Sequence, residues 1–220
     1  MVLIFRILFA CIFIVAVSVG PKSITLTAEQ TSADQLTNLI HEGNFLYTQR
    51  EYEQALKIFE KVLTLDSNNT FAMNKIGAIL FDMGYVDASL ALFDNSLKID
   101  SNNTWTLISK GRALGLLGNY SDAIEYFDSA LKFDPMSVNA ILGKGEALEA
   151  LHMHKVAIEY LDKALAIEPN NAYALLIKGI TLNETGNRKG AIENFDKVLE
   201  IEPDNYLAFR LKLKLENRTE

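Results

Sequence analysis

One cysteine in 220 residues, Cys11, leaves no pair for a disulfide and no thiol beyond the first stretch of the chain. A disulfide-stapled framework and a cysteine nucleophile in the body of the protein are both excluded. Histidine is almost as scarce: only His41, His152 and His154 occur. His152 and His154 stand two apart with no third ligand beside them, so they read as surface-turn residues before they read as a metal site. Positive charge is short as well, with 21 Lys and Arg against 28 Asp and Glu, a net charge of −7. No basic stripe is visible, which argues against a nucleic-acid binder. The usual signatures of catalysis are missing too. No Gly-x-Ser-x-Gly or His-Glu-x-x-His pattern occurs, and Gly143-Lys144-Gly145 lacks the upstream Gly and the following Ser or Thr of a phosphate loop. Glu146 and Glu149 are spaced as a solvated helix face. The reading is a non-enzymatic chain with no cofactor and no metal.

One long apolar run is present, and it stands at the start. Residues 7–19 carry no charge and consist almost wholly of Ile, Val, Leu, Phe and Ala. That run matches the apolar part of a secretory signal. Counted from residue 2 to 19 it is long enough to span a membrane if Arg6 snorkels to the interface. Residues 1–20 are therefore expected to be an export signal or an N-terminal membrane anchor. Arg6 keeps the start inside and sends the remainder out of the cytoplasm, anchored or secreted after cleavage. Residues 21–35, polar and rich in Thr and Ser, are expected to be a linker.

The rest of the chain repeats itself. Gly43, Gly77, Gly111, Gly145 and Gly179 recur every 34 residues. The same register aligns Ala55, Ser89, Ala123, Ala157 and Ala191, and then Phe59, Phe93, Phe127, Leu161 and Phe195. Each unit closes with a turn: LDSNN, IDSNN, FDPMS, IEPNN, IEPDN. Within a unit, Leu107, Lys110, Gly111 and Leu114 have helical spacing, and Ala123, Ile124, Phe127, Ala130 and Leu131 form a second helical stripe. Gly118-Asn119 supplies the turn between them. A fixed period of this length marks a solenoid, in which each unit buries its apolar face against its neighbours. Asp or Glu followed by Pro or Ser, and then Asn, ends one helix and offers an N-cap to the next.

With a Gly eight residues in, a small residue at twenty, an aromatic at twenty-four and Pro135, Pro169 and Pro203 near the end, the units resemble the tetratricopeptide repeat (TPR) family. Ser67 and Ser101 replace that Pro in the first two. The resemblance implies an all-α, right-handed solenoid of five helix-turn-helix repeats, at 36–69, 70–103, 104–137, 138–171 and 172–205. A C-terminal capping helix and tail occupy 206–220, with Phe209 and Leu213 turned inward and Arg210, Lys212, Lys214 and Glu216 facing water.

The resemblance further implies a concave groove lined by the first helix of each repeat. Carried onto this chain, the groove positions select Phe71, Asn74, Lys75, Trp105, Ile108, Arg112, Leu142, Glu146, Tyr173 and Leu176. Aromatics and Arg dominate interface hot spots, so the expected function is a scaffold that binds a peptide or helical segment of a protein partner. A branch of the family clamps a terminal carboxylate, but Ile40, Trp105 and Ser109 stand where its basic residues belong. Self-association through the first repeat is the alternative; an enzyme or metal protein using His152 and His154 is less favoured. Asn68, Asn102, Asn119, Asn183 and Asn217 open Asn-x-Ser/Thr sequons, glycosylation sites if the repeats lie outside the cell.

Overall fold

The computed structural model describes residues 26–217, with side chains from residue 33, and every regular element among them is an α-helix. The chain divides into two compact units, one ending at Ser101 and the next beginning at Asn102. The first contains α1 (Leu26–Thr48), α2 (Tyr52–Leu65), α3 (Thr70–Asp82) and α4 (Val86–Ile99). The second contains α5 (Thr104–Leu116), α6 (Tyr120–Phe133), α7 (Val138–Ala150), α8 (His154–Ile167), α9 (Ala172–Glu184), α10 (Arg188–Ile201) and α11 (Tyr206–Glu216). Residues 1–20, where a signal or anchor is expected, lie outside the described residues. Among those described, no helix is long and apolar enough to cross a membrane.

In four of the five closing turns the last Asn does the starting work; Ser137 stands there in the third and makes no side-chain cap bond. Asn69 accepts from the Ala72 N–H at 2.9 Å, Asn103 from Thr106 at 3.0 Å, Asn171 from Ala174 at 2.9 Å and Asn205 from Ala208 at 3.0 Å. Each bond satisfies an N–H that the helix leaves unpaired. The tight link inside a repeat needs a left-handed residue. Gly84, Gly118 and Gly186 supply it at φ near +80°, while Arg50 and His152 take the same place at φ 60° and 58°.

Packing inside a repeat turns on the Gly and the aromatic. A Cβ added to Gly77 would lie 2.5 Å from the Phe93 ring, and one at Gly111 2.8 Å from Phe127. Gly43 and Gly179 face Phe59 and Phe195 in the same way. The ring therefore covers the glycine of its own repeat. Phe127 also lies against Gly143 of the following helix. Ala55, Ser89, Ala123, Ala157 and Ala191 are fully buried at the helix contact.

Two terminal expectations need correction. α1 begins at Leu26, so residues 26–35 are helix and not linker. They contain neither Gly nor Pro, and extending an existing helix costs far less than starting one. In α11 the buried side chains are Ala208 and Leu215, while Phe209 and Leu213 are 52% and 43% exposed. The inward stripe is set by contact with α10, which selects positions 208, 211 and 215.

Candidate functional site

In the second unit, α5, α7 and α9 carry the residues expected on the inner wall. Trp105 and Tyr173 open α5 and α9 and stay about half exposed, at 46% and 48%. Tyr173 donates its hydroxyl proton to the Glu146 carboxylate on α7. Burial pushes the Tyr173 hydroxyl well above its ordinary range, and the hydrogen bond to Glu146 and its charge add to the rise. Arg112 on α5 pulls the other way, so its positive charge is felt at the same ring. The tyrosine thus stays protonated and serves as a donor, with no chemistry of its own near neutral pH. Arg112, Glu146 and Tyr173 are brought together as one polar-aromatic cluster. Ile108 is half-buried, whereas Leu142 and Leu176 are only 7% and 8% exposed. Those two are core residues beneath the wall and not contact residues on it.

The first unit has a smaller counterpart. Phe71 is exposed, with its ring edge-on to Phe59 at 6.4 Å. The Lys75 ammonium lies 5.3 Å from the Phe71 ring centre and 5.4 Å from that of Tyr47, and its partial burial lowers its pKa. Tyr47 in turn donates to Asp82 at 2.8 Å. Asn74, expected beside them, is 6% exposed, and its Oδ1 is buried without a partner. It belongs to the interior. A short polar side chain on an apolar helix gives the same spacing whether it faces in or out, which is why sequence alone misplaced it.

One set of residues escaped sequence reasoning altogether. Lys144 pairs with Asp128 at 2.5 Å, Lys178 with Asp162 at 2.6 Å and Lys212 with Asp196 at 2.6 Å. Each pair ties a first helix to the second helix of the preceding repeat. The Lys144 ammonium also sits 4.5 Å from the Tyr160 ring centre. The signal was present as Lys and Asp recurring at the same 34-residue step.

The histidines do not assemble a metal site. The His152 and His154 rings meet edge-on at 5.5 Å, and the described residues hold no cluster of three His, Cys, Asp or Glu fit to hold a metal. Of the sequon asparagines, Asn68, Asn102, Asn119 and Asn217 are exposed and Asn183 is half-buried.

No curated protein matches the sequence. Among solved structures, YrrB, described as a TPR protein with an unusual peptide-binding site, superposes with a TM-score of 0.65 at 24% identity, over 86% of this chain and 98% of that one. MamA from Desulfovibrio magneticus RS-1 gives 0.68 at 21%, over 79% and 98%. PilF of Pseudomonas aeruginosa gives 0.76 at 18%, over 84% of each. At these identities the likeness is one of fold. Family models described as tetratricopeptide repeat match residues 108–172 in one case and 37–69 and 172–205 in another. With the helix pairs, the glycine-aromatic contacts and these matches in agreement, the chain belongs to the tetratricopeptide repeat family.

Proposed function

We propose that this protein is a non-catalytic scaffold whose first helices bind a peptide or helical segment of another protein. The observation that carries the reading is the wall of the second unit, where exposed Trp105 and the linked Arg112, Glu146 and Tyr173 share one set of helices. Aromatic area beside a few fixed charges is what interface hot spots use. YrrB, similar in fold, is described by its peptide-binding site, which fits the same use of the surface. The uncharged run at residues 7–19 supports placing the repeats outside the cytoplasm, tethered to a membrane through residues 2–19 or released by cleavage.

Crosslinking with the tagged protein in its native membrane identifies the partner. Retention of that partner by the wild type and its loss with Arg112→Glu supports the wall as the site, and equal retention by both overturns it. Protease treatment of intact cells carrying a tag after Glu220 tests location. Removal of the tag is expected, and a protected tag on a soluble cytoplasmic protein contradicts export.

A further inference from the structure

α11 begins one period after α9 and occupies the place of a first helix in a sixth repeat. In α5, α7 and α9 the fourth residue is Leu107, Ile141 or Leu175, each 3% or 4% exposed. Ile141 clusters with Leu161 and Ala164, and Leu175 with Ala191, Phe195 and Val198, so this position packs on the second helix of its own repeat. The eighth residue is a buried glycine under the ring or the leucine of that same second helix. In α11 these two positions are Phe209 and Leu213, and both face solvent, with Tyr206 70% exposed beside them. Among the described residues no second helix covers them.

Charge and shape specify the occupant. Arg210 and Lys214 line one side of the apolar stripe, and Arg210 lies 5.6 Å from the Tyr206 ring centre. Glu216, the only acid of α11, is turned to Lys212 at 3.7 Å. Asp196 also pairs with Lys212, at 2.6 Å, which leaves Arg210 and Lys214 as the excess positive charge of this face in a chain of net charge −7. A second copy of α11 would set like charges against each other, so the complement is acidic. Leu213 fills the space that glycine leaves open elsewhere, so a ring descending from a second helix has no room. We propose that the outward face of α11 docks an acidic amphipathic helix of a partner protein, with a small residue seated over Leu213. This surface is separate from the Trp105 wall and does not depend on it.

The test uses the purified full chain and two labelled synthetic peptides. One has the chain's own acidic second-helix sequence at 120–133; the other carries Phe127→Ala in that sequence. The Ala peptide is expected to bind about tenfold more tightly than the parent, and to lose about tenfold with Arg210→Glu or Leu213→Asp. Binding should weaken with added salt and be unchanged in Trp105→Ala, so that failure of the wall and failure of this face are told apart. Arg210→Glu is an exposed change that keeps the test valid if Leu213→Asp unfolds. Equal binding of both peptides, or no binding of either, overturns the proposal. So does Leu213→Asp abolishing attachment to anionic vesicles, or self-association, in a chain that binds neither peptide.

Discussion

The two units use one repeat pattern but join their repeats by different chemistry. In the second unit each junction carries a Lys–Asp pair, at 144 with 128, 178 with 162 and 212 with 196. At the matching junction of the first unit the Lys is Ile76, 1% exposed within the apolar core. The acid there is Glu60, whose carboxyl is pushed up by burial, with Lys57 partly offsetting it. One joint is apolar with a penalised acid; the others are polar and paired. Stacking therefore tolerates either solution, because both units share the glycine-aromatic contact inside the repeat, with Leu161 in place of the ring in the fourth.

That common contact should give the largest effects. Phe59→Ala in the first unit and Phe127→Ala in the second are each expected to cost about 3–5 kcal/mol in denaturant unfolding. Phe127 should be the costlier, since its ring covers Gly111 and Gly143 together. Equal and small losses would break the claim that the ring is the shared core element.

The glycines sharpen the point within one unit. A methyl at Gly111 would meet Phe127 at 2.8 Å, but at Gly145 it would meet Leu161 at 3.3 Å. Gly111→Ala should destabilise by about 1–3 kcal/mol through overpacking. Gly145→Ala should be near neutral, because the gain in helix propensity of about 1 kcal/mol offsets a minor contact. Thermal melting of the two variants side by side checks this.

The junction chemistry predicts opposite signs. Asp128→Asn should cost about 1–2 kcal/mol at neutral pH, since it removes a charged acceptor from Lys144. Glu60→Gln should change stability by no more than about 0.5 kcal/mol, on the stabilising side. Burial lowers the Lys144 pKa, but Asp128 and Tyr160 outweigh it, so the net shift is upward from 10.5. A raised Lys contributes its stability below 10.5 and loses it as pH climbs through the folded value. The cost of Asp128→Asn should therefore fade above that pH. Glu60 is raised from 4.5, so its contribution is full below 4.5 and lost as pH rises through the folded value. The gain from Glu60→Gln should accordingly vanish below pH 4.5. Urea unfolding across pH reads both trends.

The smallest effects come from the links. His152 and Arg50 hold a left-handed backbone that Gly holds in the other repeats. Replacing either with Gly should stabilise by about 1 kcal/mol, once the strain near a left-handed residue is set against the entropy of glycine. Unchanged melting in both would show that the links carry no strain.

How much of this was legible in the sequence differs by element. The helix pairs and their buried Ala and Phe positions follow from period and spacing, because a residue repeated five times in phase has one structural cause. Of the residues expected on the wall, Trp105, Arg112 and Tyr173 are exposed, whereas Asn74, Leu142 and Leu176 are buried. Those positions lie where a few degrees of helix rotation decide between wall and core, and residue type does not report that rotation. The ends were least legible. Residues 26–35 look like linker by polarity yet continue a helix, and Phe209 and Leu213 face outward because contact with α10 draws in positions 208, 211 and 215 instead.

The central claim is that binding and folding are carried by different aromatic residues, and one paired experiment tests it. Trp105→Ala and Phe127→Ala are compared by thermal melting and by capture of the crosslinked partner. Trp105→Ala should melt within about 0.5 kcal/mol of wild type while losing about 2 kcal/mol of affinity, some thirtyfold. Phe127→Ala should melt early and, where still folded, capture the partner normally. A Trp105→Ala protein that melts early yet captures its partner at full strength when folded would contradict the account.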